Sequence, residues 1–107
     1  MKVLLDACID RTLARYITGH EVRTAHQMGW SDVRKGALLT LAVTSGFDAF
    51  VTVDRSISFQ QNLSRYQIAL VLMRARTNRR VDLIPVVPNL LAALPLAPKG
   101  EVRLVTA

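Results

Sequence analysis

Residues 50–56 read FVTVDRS: an apolar and β-branched run that stops at Asp54, followed by Arg55. Val and Thr favour strands, whereas Asp is depleted in them and is almost never fully buried without a partner. A strand therefore ends at the carboxylate. Residues 3–8, VLLDAC, repeat the arrangement, with the apolar run ending at Asp6. Two strands of one small protein each deliver an acid at their carboxyl end.

The rest of the chain alternates strand and helix signals around these two. KVLLD is a short strand without polar alternation, as expected where both sheet faces are covered. Ile9, Leu13, Tyr16 and Ile17 recur at helical spacing, with Asp10 positioned to cap the start and Gly19 to end it. EVRTA is a second strand, the turn-rich HQMGWSD follows, and KGALLTLAVTSG is a second helix with Leu38, Leu41 and Ala42 as its stripe and Gly46 as its stop. AFVTVD is the third strand, SFQQNLSRY a short helical turn and QIALVLM the fourth strand. RRVDLIPVVPNLLAAL reads as a helix kinked or divided at Pro85 and Pro88. EVRLVT is a closing edge strand or a tail. This pattern predicts one α/β domain over residues 1–107, Rossmann-like, with three α/β/α layers and a mainly parallel sheet. Ligands of such sheets bind beyond the carboxyl ends of the strands. If the first and third strands are neighbours, about 4.8 Å apart, Asp6 and Asp54 converge.

Composition limits the function classes. Half of the 107 residues are hydrophobic, enough for a modest core. No signal-peptide pattern opens the chain, and no apolar run approaches the roughly 20 residues of a membrane span. Cys8 is the single cysteine, so an internal disulfide and a cysteine-built zinc site are excluded. A cytoplasmic protein without a membrane partner is expected. Fourteen Lys and Arg against eight Asp and Glu give a formal charge of +6, and only Lys2, Lys35 and Lys99 are lysines. That excess favours a polyanionic partner, and arginine forks suit phosphate.

Two carboxylates held close repel each other unless a cation or a shared proton lies between them. Mg²⁺ or Mn²⁺, hard ions that take oxygen ligands and activate water, would supply the cation. Beside a basic surface the natural substrate is a phosphodiester. The plainer alternative is that Asp6 and Asp54 only cap the turns that follow them.

The stretches MKVLLDACIDRTL, GHEVRTAHQMGW, LLTLA, GFDAFVTVDRSISFQQNL and IALVLMRARTN resemble the successive blocks of the compact PIN-like domain family, relatives of the toxin-type PIN ribonucleases, over roughly residues 1–94. The resemblance implies a Rossmann-like sheet whose clustered acids hold Mg²⁺ or Mn²⁺ for RNA cleavage. Asp6 and Asp54 match the family's first-strand acid and its later strand-end acid, which makes them the catalytic and metal-binding candidates. Relatives of this type carry further acids at the start of the second helix, where this chain has KGALL, with Lys35 and Ala37. Asp32, just upstream, and Asp10, in the first helical turn, are the stand-in candidates for metal binding.

Arg55, Arg74, Arg76 and Asn78 fall at or just beyond strand ends on the same edge, with Arg79 and Arg80 following. They are expected to form a phosphate-binding rim, and Gln60, Gln61 and Asn62 to orient a phosphate or a metal-bound water. Trp30 is expected to pack rather than to stack on a base, Cys8 to sit in the core, His20 and His26 at the surface, and Asp48 to be structural. A response-regulator receiver would need an acid at position 7, and a haloacid-dehalogenase-type phosphatase an aspartate at position 8. The chain has Ala7 and Cys8. The expectation is a metal-dependent ribonuclease of PIN-like type, the toxin of a bacterial toxin–antitoxin pair, with RNA and an antitoxin protein as partners and a homodimer left open. The alternative is a non-catalytic PIN-like module that binds RNA or a partner protein through the basic edge.

Overall fold

The computed structural model describes residues 1–60 and 62–107; Gln61, one of the expected RNA contacts, lies outside the described residues. Five strands, β1 (Lys2–Leu5), β2 (Glu21–Thr24), β3 (Ala49–Thr52), β4 (Ala69–Met73) and β5 (Val102–Val105), form one sheet in the order β2-β1-β3-β4-β5. Every pairing is parallel. Helices cover both faces, giving the expected Rossmann-like three-layer α/β fold.

Strict alternation of side chains across the pleat explains why the strands read as unbroken apolar runs. Val3, Leu5, Ala49, Val51, Ala69, Val71 and Met73 enter one core with Leu13, Leu83, Leu90 and Leu94. Leu4, Phe50, Leu70 and Leu72 enter the other with Leu38, Leu39 and Ala42. A polar residue anywhere in β3 or β4 would be buried on one face or the other, so the acids are confined to the strand ends.

The second helix is α2 (Lys35–Thr44), although its buried stripe is Leu38, Leu39 and Ala42, with Leu41 only half-buried. Two local expectations need correction. Arg11–Tyr16 is a 3-10 helix rather than an α-helix, closed by Leu13 N–H to Asp10 O and Ile17 N–H to Ala14 O bonds. Its winding is the tighter one common in brief connectors. The passage after β2 begins with a four-residue helix, α1 (Ala25–Met28). Thr24 and Gln27 form a reciprocal capping box there, and Gly29 ends the helix at a φ of 75°. The prolines divide the last helical segment as expected, into α3 (Arg80–Leu83), a 3-10 turn at Ile84–Val86 and α4 (Val87–Ala93). Of the two readings of EVRLVT, the edge strand is the one observed, paired with β4.

Gly100 sets the entry into β5. Its N–H bonds Ile68 O at 2.9 Å, its φ is 79°, and a Cβ there would lie 2.9 Å from Ser64 Cα. Gly19 shares the positive φ but has open space around it. Gly100→Ala is therefore expected to lose about 1–3 kcal/mol more stability than Gly19→Ala, read by urea unfolding of the two variants; equal losses would mean that the Ser64 contact relaxes freely.

Candidate functional site

The strand order makes β1 the point at which the chain turns back across the sheet: β2 lies on one side of it and β3 on the other. The crevice at the carboxyl ends of β1 and β3 is thus the topological switch point of the fold. Asp6 follows β1 directly, and its N–H adds one more bond to the ladder, to Val51 O at 2.9 Å. Asp54 stands two residues beyond β3, at the start of the 3-10 turn Arg55–Phe59. The two acids expected to converge do so, around a third side chain.

That side chain is Lys35. Its ammonium donates to Asp6 Oδ2 and lies 3.6 Å from Asp54 Oδ2. Asp6 is 5% exposed and the Asp54 side chain 38%. The rest of the shell belongs to the chain as well. Thr52, fully buried at the end of β3, donates its hydroxyl to Asp6 Oδ2 at 2.7 Å and accepts the Asp54 N–H at 3.0 Å. Asp6 Oδ1 accepts the Ala7 N–H at 2.8 Å, and the Cys8 thiol lies 3.4 Å from Asp6 Oδ2. Asp54 Oδ1 accepts the Ser56 N–H at 2.9 Å. Asp54 is thus a cap through one oxygen and an ion-pair partner through the other.

The titration of these groups follows from their partners. The Ser56 hydrogen bonds, aided by the Lys35 charge, hold the Asp54 carboxyl below the usual carboxylate range. Burial of the thiol, reinforced by the Asp6 charge, pushes the Cys8 pKa up, so the sulfur stays protonated at neutral pH. Cys8 is nevertheless exposed as a residue rather than part of the core, because its thiol alone turns inward.

Asp10 and Asp32 do not join the pair. The Asp10 carboxylate accepts the Thr12 N–H at 2.9 Å and the Thr12 hydroxyl at 2.6 Å, bonds that lower its pKa. It borders a separate cavity with Arg11 and His26. Asp32 is exposed and makes no side-chain hydrogen bond or ion pair among the described residues. Nor do the described residues contain a group of three or more His, Cys, Asp or Glu placed to hold a metal ion. A hard divalent cation needs about six oxygen ligands. Here the Lys35 ammonium occupies the space between the two carboxylates and both Asp6 oxygens already accept protein donors, so the pair as arranged does not fit Mg²⁺ or Mn²⁺.

Beside Asp54 opens a groove of about 480 Å³, lined by Cys8, Asp54, Arg55, Arg76, Thr77 and Asn78 among others. It gathers Arg55, Arg76 and Asn78 from the expected rim. Arg74 is exposed at the end of β4, and Asn62 is exposed with a φ of 60°; neither lines the groove. Arg80 turns away to donate to Thr12 Oγ1 at 3.0 Å. Trp30 packs edge-on against Phe47, with ring centroids 6.2 Å apart, and Asp48 accepts the Lys2 N–H at 2.7 Å, both as structural roles require. Lys35, Thr52 and Ser56 were not expected in the site. One signal for the first was available: a lysine stands at position 35, where the resemblance led acids to be expected. The chain matches no protein-family model, and searches of curated proteins and solved structures gave no match.

Two outcomes are expected. Thr52→Val, similar in shape but without the hydroxyl, leaves the Asp54 N–H and Asp6 Oδ2 each short of a partner and should destabilise the fold by about 1–3 kcal/mol in chemical denaturation; Thr52→Ser should recover most of that loss. For pH, a carboxyl with a depressed native pKa stabilises the fold above its unfolded value of about 3.9, and that contribution disappears as pH falls through the native value. Thermal melts between about pH 5 and pH 2 should therefore show a flatter acid limb in Asp54→Asn than in the parent.

Proposed function

We propose that this chain is a PIN-like domain that binds RNA along the carboxyl-terminal edge of its sheet. The observation that carries the reading is the groove beside Asp54, which Arg55, from the 3-10 turn after β3, and Arg76, from beyond β4, line together with Thr77 and Asn78. Two guanidinium forks with neutral hydroxyl and amide groups between them suit a phosphodiester backbone, which needs charge at intervals and hydrogen-bond donors in between. The overall charge of +6 supports the same class of partner. The sequence resemblance to toxin-type PIN ribonucleases adds the expectation of a cytoplasmic role in which an antitoxin protein covers this edge.

The carboxylate pair contributes position rather than chemistry in this reading. With Lys35 between them, Asp6 and Asp54 carry a net charge of about −1, which repels a phosphate from the crevice and leaves it to the arginines. A second reading, metal-dependent ribonuclease, is favoured by one observation: adjacent strands bring both acids to a single cationic centre. It requires Lys35 to leave.

The test is binding of a labelled single-stranded RNA by fluorescence anisotropy over a range of salt. Affinity should fall with added salt, each phosphate contact contributing about 0.7 to the slope of log K against log salt. Arg55→Ala combined with Arg76→Ala should lower that slope by about 1.4. An unchanged slope would place RNA elsewhere or nowhere. Manganese-dependent cleavage of the same RNA by the parent, absent from Asp54→Asn, would favour the second reading.

A further inference from the structure

We infer that Lys35 is the resident cation of the strand-end carboxylate pair, standing where a divalent metal would otherwise be needed. The inference deepens the account of the same crevice but does not depend on RNA being the ligand.

The local sequence gives no reason for a lysine at this place. Lys35 is the first residue of α2, whose opening turn carries no acid and whose cap residue, Arg34, makes no side-chain cap bond. Helix amino termini carry partial positive charge and favour acids, so a lysine there works against the helix dipole. Its tertiary surroundings supply the compensation. The side chain is 16% exposed, its ammonium meets both aspartates, and it lies 5.5 Å from the Phe50 ring centroid. Phe50 is fully buried in β3, and Leu38 and Leu39, one turn further along α2, anchor the helix in the core. The ammonium is therefore delivered by a rigid helix over an aromatic floor, not by a loose surface chain.

Charge makes occupancy exclusive. An ammonium and a divalent ion within contact distance of the same two carboxylate oxygens repel each other. One cation or the other can satisfy the pair. With Lys35 present, the protein folds with its own counter-ion and has no requirement for metal.

The experiment compares thermal melts in manganese chloride and in EDTA with direct titration of Mn²⁺ by its electron paramagnetic resonance signal. The parent is expected to melt at the same temperature in both media and to show no saturable Mn²⁺ binding. Lys35→Met keeps the apolar stem and removes the charge. It should melt lower in EDTA and higher in manganese, as a ligand that binds only the folded state requires, with Mn²⁺ affinity at least about tenfold above the parent. Adding Asp54→Asn to Lys35→Met should abolish the response. Lys35→Arg, which retains a cation, should fold and remain silent to Mn²⁺. Saturable Mn²⁺ binding by the parent that Asp6→Asn removes would overturn the inference, as would a folded Lys35→Met variant indifferent to manganese. If Lys35→Met fails to fold in EDTA, folding in manganese supports the inference, and failure in both media or a Mn²⁺ response in Lys35→Arg overturns it. No arm of the experiment contains RNA, so its failure is distinguishable from failure of the RNA-binding reading.

Discussion

Two negative charges at the ends of adjacent parallel strands cannot be left uncompensated, and the architecture around β1 and β3 is organised by that constraint. Parallel pairing of Val3, Leu4 and Leu5 with Ala49, Phe50 and Val51 fixes the carboxyl ends of the two strands side by side. Separation by relaxation is not available, because both strands are buried on both faces. The compensation comes from a third element. The start of α2 reaches over Phe50 with Lys35, and the Thr52 hydroxyl ties the Asp54 backbone to the Asp6 carboxylate. Removing one member of such a set leaves the others with desolvated charge, and for that reason buried ion pairs are costlier to break than they are worth to make.

The cores on either side explain how a domain of this size holds such a site steady. Its central strands alternate their apolar residues between two clusters, so each strand is clamped from both faces. Asp6, Thr52 and Asp54 inherit that rigidity, lying zero to two residues from a strand end. Lys35 inherits it from Leu38 and Leu39 one turn further along α2. The groove wall formed by Arg76, Thr77 and Asn78 is different in kind. It belongs to the exposed connection between β4 and α3, where side chains can adapt to a ligand.

Charge is accordingly divided between two neighbouring places. In the crevice, two acids outweigh one ammonium and the net charge is negative; in the groove, Arg55 and Arg76 form no ion pair among the described residues and face solvent. A polyanion attracted by the overall charge would be drawn to the second and not the first. Asp54 is the joint between them, since one of its oxygens caps the Arg55–Phe59 turn, the other faces Lys35, and its side chain borders the groove.

Reading along the chain sufficed for the fold and for the position of the acids. A buried parallel strand must be continuously apolar, so VLLDAC and FVTVDRS mark where β1 and β3 end. The alternation of such runs with helical segments implies the parallel sheet. It did not suffice for local winding, because 3-10 and α-helices share nearly the same apolar spacing over six residues, as at Arg11–Tyr16. Nor did it reveal the occupant of the site. Lys35 lies 29 residues from Asp6 and 19 from Asp54, and in sequence it stands out only as a lysine where an acid was expected. Which cation faces the two carboxylates depends on the distance and direction from the start of α2 to the ends of β1 and β3. That vector is set by how Leu38, Leu39 and Phe50 pack, and only the tertiary structure decides it.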